Sequence, residues 1–210
     1  MEKLAFIDLG ITDFDKVWDL QKNLVFCKKK YGGSDVLIFC EHKPVITLGR
    51  MAKESNILIN VGEMKEKEIS LFKIDRGGDV TLHSPGQLVA YPIFDLKKRN
   101  RDIRVFMRGL EKVVIDTLLV YNIKARVKDT ERGVWVGEKK ICSLGIGVSG
   151  WVTYHGIALN VNNNLSFFSY IKPCGLDAVT MTSIRELADA EIDIKEVKKI
   201  LAEKVREKFG

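Results

Sequence analysis

The chain has 210 residues, of which 46% are hydrophobic and 30% are charged, and its net charge is +6. This length and composition predict one soluble globular domain over residues 1–210, with a core large enough to need no disulfides. No apolar run approaches the roughly 20 residues that cross a bilayer, and no apolar segment follows the charged N-terminus, so we expect a cytosolic (cytoplasmic) protein without a signal peptide.

The first half of the chain is predicted as one helix among several strands. Thr12 or Asp13 begins the helix, whose apolar residues recur every 3.6 residues until the glycine pair at 32–33. Residues 51–70 are predicted to be polar and irregular. Pro92 marks an edge strand or a bulge. The predicted strands cover residues 3–9, 36–40, 45–48, 71–74 and 88–94.

The second half is predicted to hold two helices and four strands. A long amphipathic helix begins at Asp102 and ends near Val120, and Asp193 begins a helix over residues 194–209. The strands cover residues 123–127, 133–136, 141–148 and 151–161, the last two joined by a tight turn. Because strands outnumber helices and meet in tight turns, we predict an α+β fold: a mixed, largely antiparallel sheet with packed helices.

The net charge of +6 predicts attraction to acidic partners. The densest basic runs are K-K-K at residues 28–30 and K-K-R at residues 97–99. Neither is interleaved with aromatic side chains, as a platform for single-stranded nucleic acid would be. We therefore predict that both runs are solvated faces, and we expect neither a nucleic-acid nor a membrane partner.

The cysteines and histidines are not spaced as metal ligands. No C-x-x-C pair occurs, and the histidines lie far apart in the sequence at positions 42, 83 and 155. We therefore predict no metal site. In a reducing compartment the thiols are expected to be unpaired and mostly part of the core. The cysteines are Cys27, Cys40, Cys142 and Cys174.

One glycine motif is rejected as a nucleotide site. Residues 145–150 read G-I-G-V-S-G, which matches G-x-G-x-x-G. That fingerprint requires a helix to begin there, so that its N-terminus faces a pyrophosphate. The residues that follow, W-V-T-Y-H, are typical of a strand. The sequence also lacks G-K-[S/T], so no Walker phosphate loop is expected.

Cys174 is the candidate nucleophile. It lies between Pro173 and Gly175, in a predicted loop from which a thiol can reach a ligand. A thiol with a pKa near ~8.5 is only slightly ionised at neutral pH, so it needs a cationic neighbour. The spacing leaves three candidates for that neighbour, and an inert structural cysteine remains the alternative. The candidates are Lys140, His83 and His155.

A glycine-rich stretch, R-G-G-D-V-T-L-H-S-P-G-Q at residues 76–87, predicts a shaped loop and a short strand. Gly77 and Gly78 permit a sharp turn or a close approach of the backbone. His83 and the other two histidines each lie near a predicted strand end beside Gly or Pro, where a pocket rim forms readily. A structural or surface role is the alternative for each histidine.

Six segments together resemble the lipoyl(octanoyl) transferase family, the octanoyl-[acyl-carrier-protein]:protein N-octanoyltransferases. They occur in the family's order and span about residues 35–185. The resemblance implies a fold similar to the catalytic domain of biotin and lipoate protein ligases. The segments are E-H-K-P-V-I-T-L-G-R (41–50), R-G-G-D-V-T-L-H-S-P-G-Q (76–87), G-V-W-V (133–136), K-I-C-S-L-G (140–145), W-V-T-Y-H-G-I-A-L-N-V (151–161) and P-C-G (173–175).

The resemblance also implies a reaction. Cys174 takes the octanoyl group from acyl carrier protein as a thioester, and a specific lysine of a lipoyl domain attacks that thioester to give an amide. Lys140 is implied to assist the cysteine. The implied acceptors are the lipoyl domains of 2-oxoacid dehydrogenase complexes and the glycine cleavage H protein. No ATP, metal or other cofactor is expected.

Three segments are implied to line the acyl pocket. They consist of Arg76, Gly77, Gly78, Asp79, Val80, Thr81, Leu82 and His83; of Ser143, Leu144 and Gly145; and of Gly156, Ile157 and Ala158. Lys139 is a rival for Lys140, but neighbours on a strand face opposite sides, so only one is expected to reach the site. The departures from the family's usual residues are Asp79, Leu82, Ser84 and Cys142. The changed side chains are expected to alter the pocket's shape, and Cys142 is expected to complicate thiol labelling.

Two other functions stay open from the sequence. An ATP-dependent lipoate-protein ligase on the same fold would form an acyl-adenylate and would not need a nucleophilic cysteine. A non-catalytic module that binds acidic proteins or nucleic acid would rest on the net charge alone.

Overall fold

The computed structural model describes residues 4–129, 131–173 and 179–210, and the description below covers these ranges. The strands are β1 (Ala5–Thr12), β2 (Val36–His42), β3 (Val45–Leu48), β4 (Ser70–Lys73), β5 (Val80–His83), β6 (Gln87–Ile93), β7 (Val134–Val136), β8 (Lys139–Ser149) and β9 (Val152–Asn160). The α-helices are α1 (Phe14–Tyr31), α2 (Val61–Glu66), α3 (Ile103–Val120), α4 (Ile184–Ala188) and α5 (Ile194–Phe209). Short 3₁₀ helices lie at Glu54–Asn56, Leu96–Lys98 and Leu165–Tyr170.

The strands form two sheets. The larger has six strands in the order β1-β2-β6-β9-β8-β7, in which β1 and β2 are parallel and the other neighbours are antiparallel. The smaller has three strands in the order β4-β3-β5, with β3 parallel to β4 and antiparallel to β5. This arrangement confirms the predicted α+β fold with a mixed, largely antiparallel sheet.

Helices cover both faces of the larger sheet. Successive side chains of a strand point to opposite faces, so Leu37 and Ile38 of β2 belong to two different cores. The core that contains Leu37 is closed by α3 and α5, through residues such as Leu110 and Leu201. The core that contains Ile38 is closed by α1, through Val17. No helix among the described residues is long and apolar enough to span a membrane.

The prediction for residues 51–70 was wrong, because this stretch contains α2. Asn60 accepts a hydrogen bond from the backbone N–H of Glu63, and the Glu63 carboxylate accepts one from the backbone N–H of Asn60. Such a reciprocal capping box satisfies backbone groups that a short helix otherwise leaves unpaired. The N-x-x-E spacing is visible in the sequence and is the signal that was missed.

The predicted strand at residues 123–127 is also absent from the described structure. That segment pairs with its neighbour only through a single bridge, in which Arg126 and Trp135 exchange both backbone hydrogen bonds at 2.8 Å. Asn122, with φ of 57°, ends the turn that follows α3. One bridge holds the segment beside β7 without making it a strand.

Pro92 lies in a central strand, so the expected edge position is wrong. The ladder between β6 and β9 runs from Gln87 to Ala90 and stops before Pro92. Past the end of this ladder, His155 of β9 takes a left-handed φ of 56°. The Thr153 hydroxyl of β9 donates a hydrogen bond to the Pro92 carbonyl at 2.6 Å. A proline lacks a backbone donor, and here it occupies the place where pairing with β9 is interrupted.

One basic residue expected at the surface is buried. Lys28, in the last turn of α1, places its ammonium 2.7 Å from the Asp35 carboxylate, and both side chains are 4% exposed. The Lys28 ammonium also donates to the carbonyls of Gly33 and Ser34. Arg99 approaches the other Asp35 oxygen at 2.6 Å. This buried ion pair joins α1, the start of β2 and the segment after β6.

We expect Asp35→Ala to lower the free energy of unfolding by about 3–5 kcal/mol, because it leaves the Lys28 ammonium buried without its counter-charge. Denaturation in urea measures the difference. The double variant Asp35→Ala/Lys28→Met removes the buried ion pair and should regain part of the loss, since Arg99 still lacks its carboxylate partner. A single variant that unfolds at the wild-type urea concentration would contradict this role.

Candidate active site

A cavity of about 640 Å³ is bounded by β5, β8, β9, the start of α3 and the segment that contains the R-G-G motif. Its volume is in the range of small-molecule sites. All three segments predicted to line an acyl pocket reach this one cavity. The predicted residues on its wall are Arg76, Gly77, Gly78, Asp79, Val80, Thr81, His83, Lys140, Ser143, Leu144, Gly145, Gly156, Ile157 and Ala158.

Leu82 is the exception among the described residues of the predicted pocket. Its side chain is fully buried and packs in the core of the smaller sheet, together with Ile46 and Phe168. Because neighbouring side chains of a strand point to opposite faces, Thr81 and His83 line the cavity while Leu82 points away from it. The prediction that Leu82 lines the pocket is therefore corrected.

The R-G-G segment is fastened across β8. The Arg76 guanidinium donates to the backbone carbonyl and the hydroxyl of Thr47 at 2.9 and 3.0 Å. The backbone N–H of Gly77 donates to the Ile146 carbonyl at 3.1 Å. A Cβ at Gly145 would lie 2.9 Å from the Gly77 carbonyl oxygen, so a glycine is needed where the two backbones cross.

The glycines at positions 145–150 serve the β8–β9 hairpin, which confirms the predicted strand pair. Gly147 lies opposite Tyr154, and a Cβ there would be 2.5 Å from the tyrosine ring. Gly150 takes φ of 59° in the turn. The strand that follows provides no helix N-terminus for a pyrophosphate.

Lys140 reaches the cavity from β8 although it is only 2% exposed. Its ammonium lies 5.3 Å from the centre of the Trp135 ring. A Cβ at Gly133 would lie 2.6 Å from Cε of Lys140, so the passing backbone confines the lysine stem. Lys139 points outward and pairs with Glu186 at 2.7 Å. Of the two neighbouring lysines, Lys140 is the one on the cavity wall.

Cys174 lies outside the described residues, as do its neighbours up to residue 178. Both flanks are described. Before the gap, the backbone N–H of Lys172 donates to the carbonyl of Asn56, whose side chain bonds Asp79 on the cavity wall. After the gap, the carbonyl of Thr180 accepts from the backbone N–H of Lys140. The chain therefore enters and leaves this segment beside elements that bound the cavity.

The other cysteines differ in their access to solvent. Cys40 and Cys142 are buried, and Cys27 is exposed on α1. Burial raises the pKa of the Cys142 thiol to about 12, so Cys142 stays protonated at neutral pH even though it is close to Lys140 in sequence. A protonated thiol is a poor nucleophile. Thiol reagents are expected to meet Cys27 before Cys142.

The structure brings the three histidines close together. The rings of His42 and His83 are 5.7 Å apart in a T-shaped arrangement, and Nε2 of His155 lies 3.1 Å from the Asp75 carboxylate. His83 and His155 line the cavity, and His42 lies behind it, bonded to the Tyr91 hydroxyl. Burial lowers the pKa of His42 and His155 to about 4 and that of His83 to about 3.

These histidines make stability depend on pH. Each is neutral when folded and has an ordinary pKa of 6.5 when exposed, so the unfolded chain binds more protons between pH 6.5 and 4. We expect the free energy of unfolding to change little between pH 7 and 8 and to fall toward pH 4, by about 1.4 kcal/mol per histidine for each pH unit below 6.5. Urea denaturation across this range measures the slope. His42→Asn should reduce the slope by about a third, because His83 and His155 remain, and a stability that does not change with pH would contradict the burial of neutral rings.

Several wall residues were missed by the sequence reasoning. Ile103 and Met107 of α3 line the cavity, and neither was among the residues predicted to line a pocket. Their spacing of four residues places them on one helix face, which was the available signal. Asp75, which bonds His155 across the fold, had no signal in the sequence because only the tertiary structure brings them together.

Comparison with known proteins gives consistent matches. Residues 13–206 match the family described as lipoyl protein ligase A/B catalytic domain. A protein of Thermoanaerobacter sp. (strain X514) named octanoyltransferase is 42% identical over 212 residues, which cover 100% of this chain and 92% of that protein. One from Christiangramia forsetii with the same name is 40% identical over 219 residues, covering 96% and 94%.

A solved structure with the same fold is a bi-partite lipoate protein ligase from Thermoplasma acidophilum, described with its E2 lipoyl domain. It has a TM-score of 0.75 and 18% identity, over 99% of this chain and 84% of that one. At this identity the likeness concerns the fold.

Proposed function

The chain belongs to the lipoyl protein ligase A/B catalytic domain family and is an octanoyltransferase of lipoyl-protein modification, and we propose that Cys174 carries the octanoyl group. In this proposal the donor is acyl carrier protein and the acceptor is a specific lysine of a lipoyl domain. The acceptors are the lipoyl domains of 2-oxoacid dehydrogenase complexes and the glycine cleavage H protein.

The observation that carries the proposal is the position of Lys140. Its ammonium is buried on the cavity wall, and its backbone N–H and C=O bond Thr180 and Thr182, in the extended segment that follows Cys174. A cation near a thiol favours the thiolate. Once the proton has left, a lysine can accept a proton from an incoming amine. One residue thereby supports both half-reactions.

The two half-reactions balance without a further reactant. In the first, the Cys174 thiolate attacks the thioester carbonyl, its new C–S bond replaces the bond to the carrier, and the carrier thiolate takes up a proton from Lys140, which is left neutral. In the second, the lysine amine attacks the Cys174 thioester, a C–N bond replaces the C–S bond, and the amine proton returns to the sulfur by way of Lys140. A covalent intermediate divides one difficult transfer into two easier ones.

The cavity wall supports an acyl substrate. Its apolar members come from β8, β9 and α3, and they include Leu144, Ile157, Ala158, Ile103 and Met107. Each buried methylene of the octanoyl chain contributes about 0.8 kcal/mol to binding. The net charge of +6 would speed encounter with an acidic carrier protein. Reaction through a reduced thiol also requires a reducing compartment, so a cytosolic location is part of the proposal.

The test is transfer in the absence of ATP. The protein is mixed with octanoyl-acyl carrier protein and an unmodified lipoyl domain, and intact mass spectrometry follows the lipoyl domain. We expect one octanoyl group per domain without any nucleotide. A product that forms only from free octanoate and ATP, with release of AMP, would replace this proposal by the ligase reaction.

A further inference from the structure

A chain of hydrogen bonds leads from the cavity wall to Thr182, in the segment bonded to the backbone of Lys140. Nδ1 of His83 lies 2.7 Å from Oε1 of Gln87. Nε2 of Gln87 donates to Oδ1 of Asn160 at 2.9 Å. Nδ2 of Asn160 donates to the backbone carbonyl of Thr182 at 2.9 Å, and the Thr182 N–H donates to the Lys140 carbonyl. The three side-chain members are at most 6% exposed.

The backbone carbonyl fixes the direction of every bond in this chain. The Thr182 carbonyl can only accept, so Asn160 must present its NH₂ there and its oxygen to Gln87. Gln87 must then present its NH₂ to Asn160 and its oxygen to His83. An oxygen accepts, so His83 carries its hydrogen on Nδ1. The neutral ring therefore has its lone pair on Nε2.

Two further contacts support the same orientation of the amides. Nε2 of Gln87 also lies 3.4 Å from the Leu82 carbonyl, and a rotated Gln87 would place two oxygens face to face there. Nδ2 of Asn163 donates to Oδ1 of Asn160 at 3.1 Å, which agrees with this orientation of Asn160. Side-chain amides are oriented from such networks.

The lone pair of His83 is available to a ligand. The imidazole lines the cavity and packs against the rings of Phe14 and His42, and Nε2 is the ring nitrogen that does not face Gln87. Within the described ranges, Gln87 is the group that hydrogen-bonds to His83. An acceptor at this position attracts an N–H and repels a carbonyl oxygen.

We propose that Gln87 and Asn160 are positioning residues that hold His83 in its Nδ1–H tautomer, so that Nε2 accepts an N–H hydrogen from the lysine amine that attacks the octanoyl thioester. The tautomer follows from the contacts of His83, while its role in transfer rests on the proposed function. Nε2 of His83 needs a hydrogen-bond donor as its partner. The octanoyl chain has none, whereas the lysine amine of the lipoyl domain carries N–H groups.

Orientation, rather than proton transfer, is the role that suits His83. Burial keeps its pKa at about 3, so the ring stays neutral at physiological pH and is a weak base. Under this proposal the amine's proton leaves through Lys140, and His83 directs the amine's own lone pair at the thioester carbon. Fixing a nucleophile in this way lowers the entropic part of the barrier.

The tautomer can be measured directly, because the chain has three histidines. Long-range ¹H–¹⁵N correlation spectra distinguish a protonated from an unprotonated ring nitrogen. We expect His83 to carry its hydrogen on Nδ1. We expect the same of His42, whose Nδ1 faces the Thr12 carbonyl. His155 should be the opposite tautomer, since its Nε2 faces Asp75. Hydrogen on Nε2 of His83 would overturn the proposal.

Two variants test the positioning role. Gln87→Met removes the acceptor and should give a mixture of tautomers at His83, whereas Tyr91→Phe should disturb the signals of His42 and leave those of His83 in place. His83→Gln identifies the His83 signals in the spectrum. A His83 spectrum that is unchanged in folded Gln87→Met would overturn the role assigned to Gln87.

The role in transfer is tested by separating the two half-reactions. His83→Met should slow transfer from octanoylated protein to the lipoyl domain about 10- to 100-fold more than it slows loading from acyl carrier protein, the scale of a buried hydrogen bond. His83→Gln, which keeps an acceptor oxygen, should recover part of the loss. Equal effects on both steps, or a larger effect on loading, would overturn the assignment to the amine. Failure of wild-type protein to load would instead count against the proposed function and leave the tautomer result intact.

Discussion

Lys140→Met should slow octanoyl transfer by about 10²–10⁴-fold, the range typical of a lost acid–base group. Methionine keeps the length and the apolar stem of the side chain but has no ammonium. Both half-reactions should suffer, because the cation is proposed to favour the Cys174 thiolate in the first and to accept a proton in the second. The pH dependence of Cys174 alkylation by iodoacetamide should shift to higher pH as its pKa rises.

The neighbouring residue provides a matched control. Lys139 lies on the other face of β8, is exposed, and pairs with Glu186. Lys139→Met removes the same charge one position away, and the rate of transfer should stay within about twofold, as expected for an exposed ion pair. If Lys139→Met slowed transfer as much as Lys140→Met, the specific role of Lys140 would be refuted.

Cys174→Ala should reduce transfer by about 10³-fold or more, since the proposed route has no second nucleophile. The measurement is the initial rate of lipoyl-domain octanoylation at saturating octanoyl-acyl carrier protein. The expected loss is in the chemical step, so the fold and its stability should remain close to those of the wild type. Unfolding in urea checks that point.

Two cysteine controls separate Cys174 from the remaining thiols. Cys142 is buried with a pKa raised to about 12, and Cys27 is exposed on α1. Cys142→Ala and Cys27→Ser should both retain transfer activity. Loss of transfer in folded Cys142→Ala, with activity retained in Cys174→Ala, would move the nucleophile to β8 and contradict the account.

Local features of the fold could be predicted from the sequence. The starts of α3 and α5 follow from Asp102 and Asp193, whose carboxylates accept hydrogen bonds from backbone N–H groups two or three residues ahead. The β8–β9 hairpin follows from alternation and from Gly150 in its turn. Each signal lies within a few residues of the structure that it specifies.

Features that join distant segments could not be predicted in this way. Lys28 looked like part of an exposed basic run, and its burial depends on Asp35 and Arg99, which the fold brings together. The same holds for the site, where the tautomer of His83 is set through Asn160, far along the chain. The resemblance indicated which segments meet at the cavity, but it did not show that Leu82 points away from it.

The central claim is that Cys174 carries the octanoyl group, and intact mass spectrometry of the protein tests it most directly. Protein mixed with octanoyl-acyl carrier protein, without a lipoyl domain, should gain the mass of one octanoyl group. Peptide mapping should place that group on Cys174, and neutral hydroxylamine should release it as expected of a thioester. The adduct should persist in Cys142→Ala and be absent in Cys174→Ala. Two results would contradict the account. One is wild-type protein that octanoylates the lipoyl domain while its own Cys174 never becomes modified. The other is a Cys174→Ala variant that transfers octanoyl groups at the full rate.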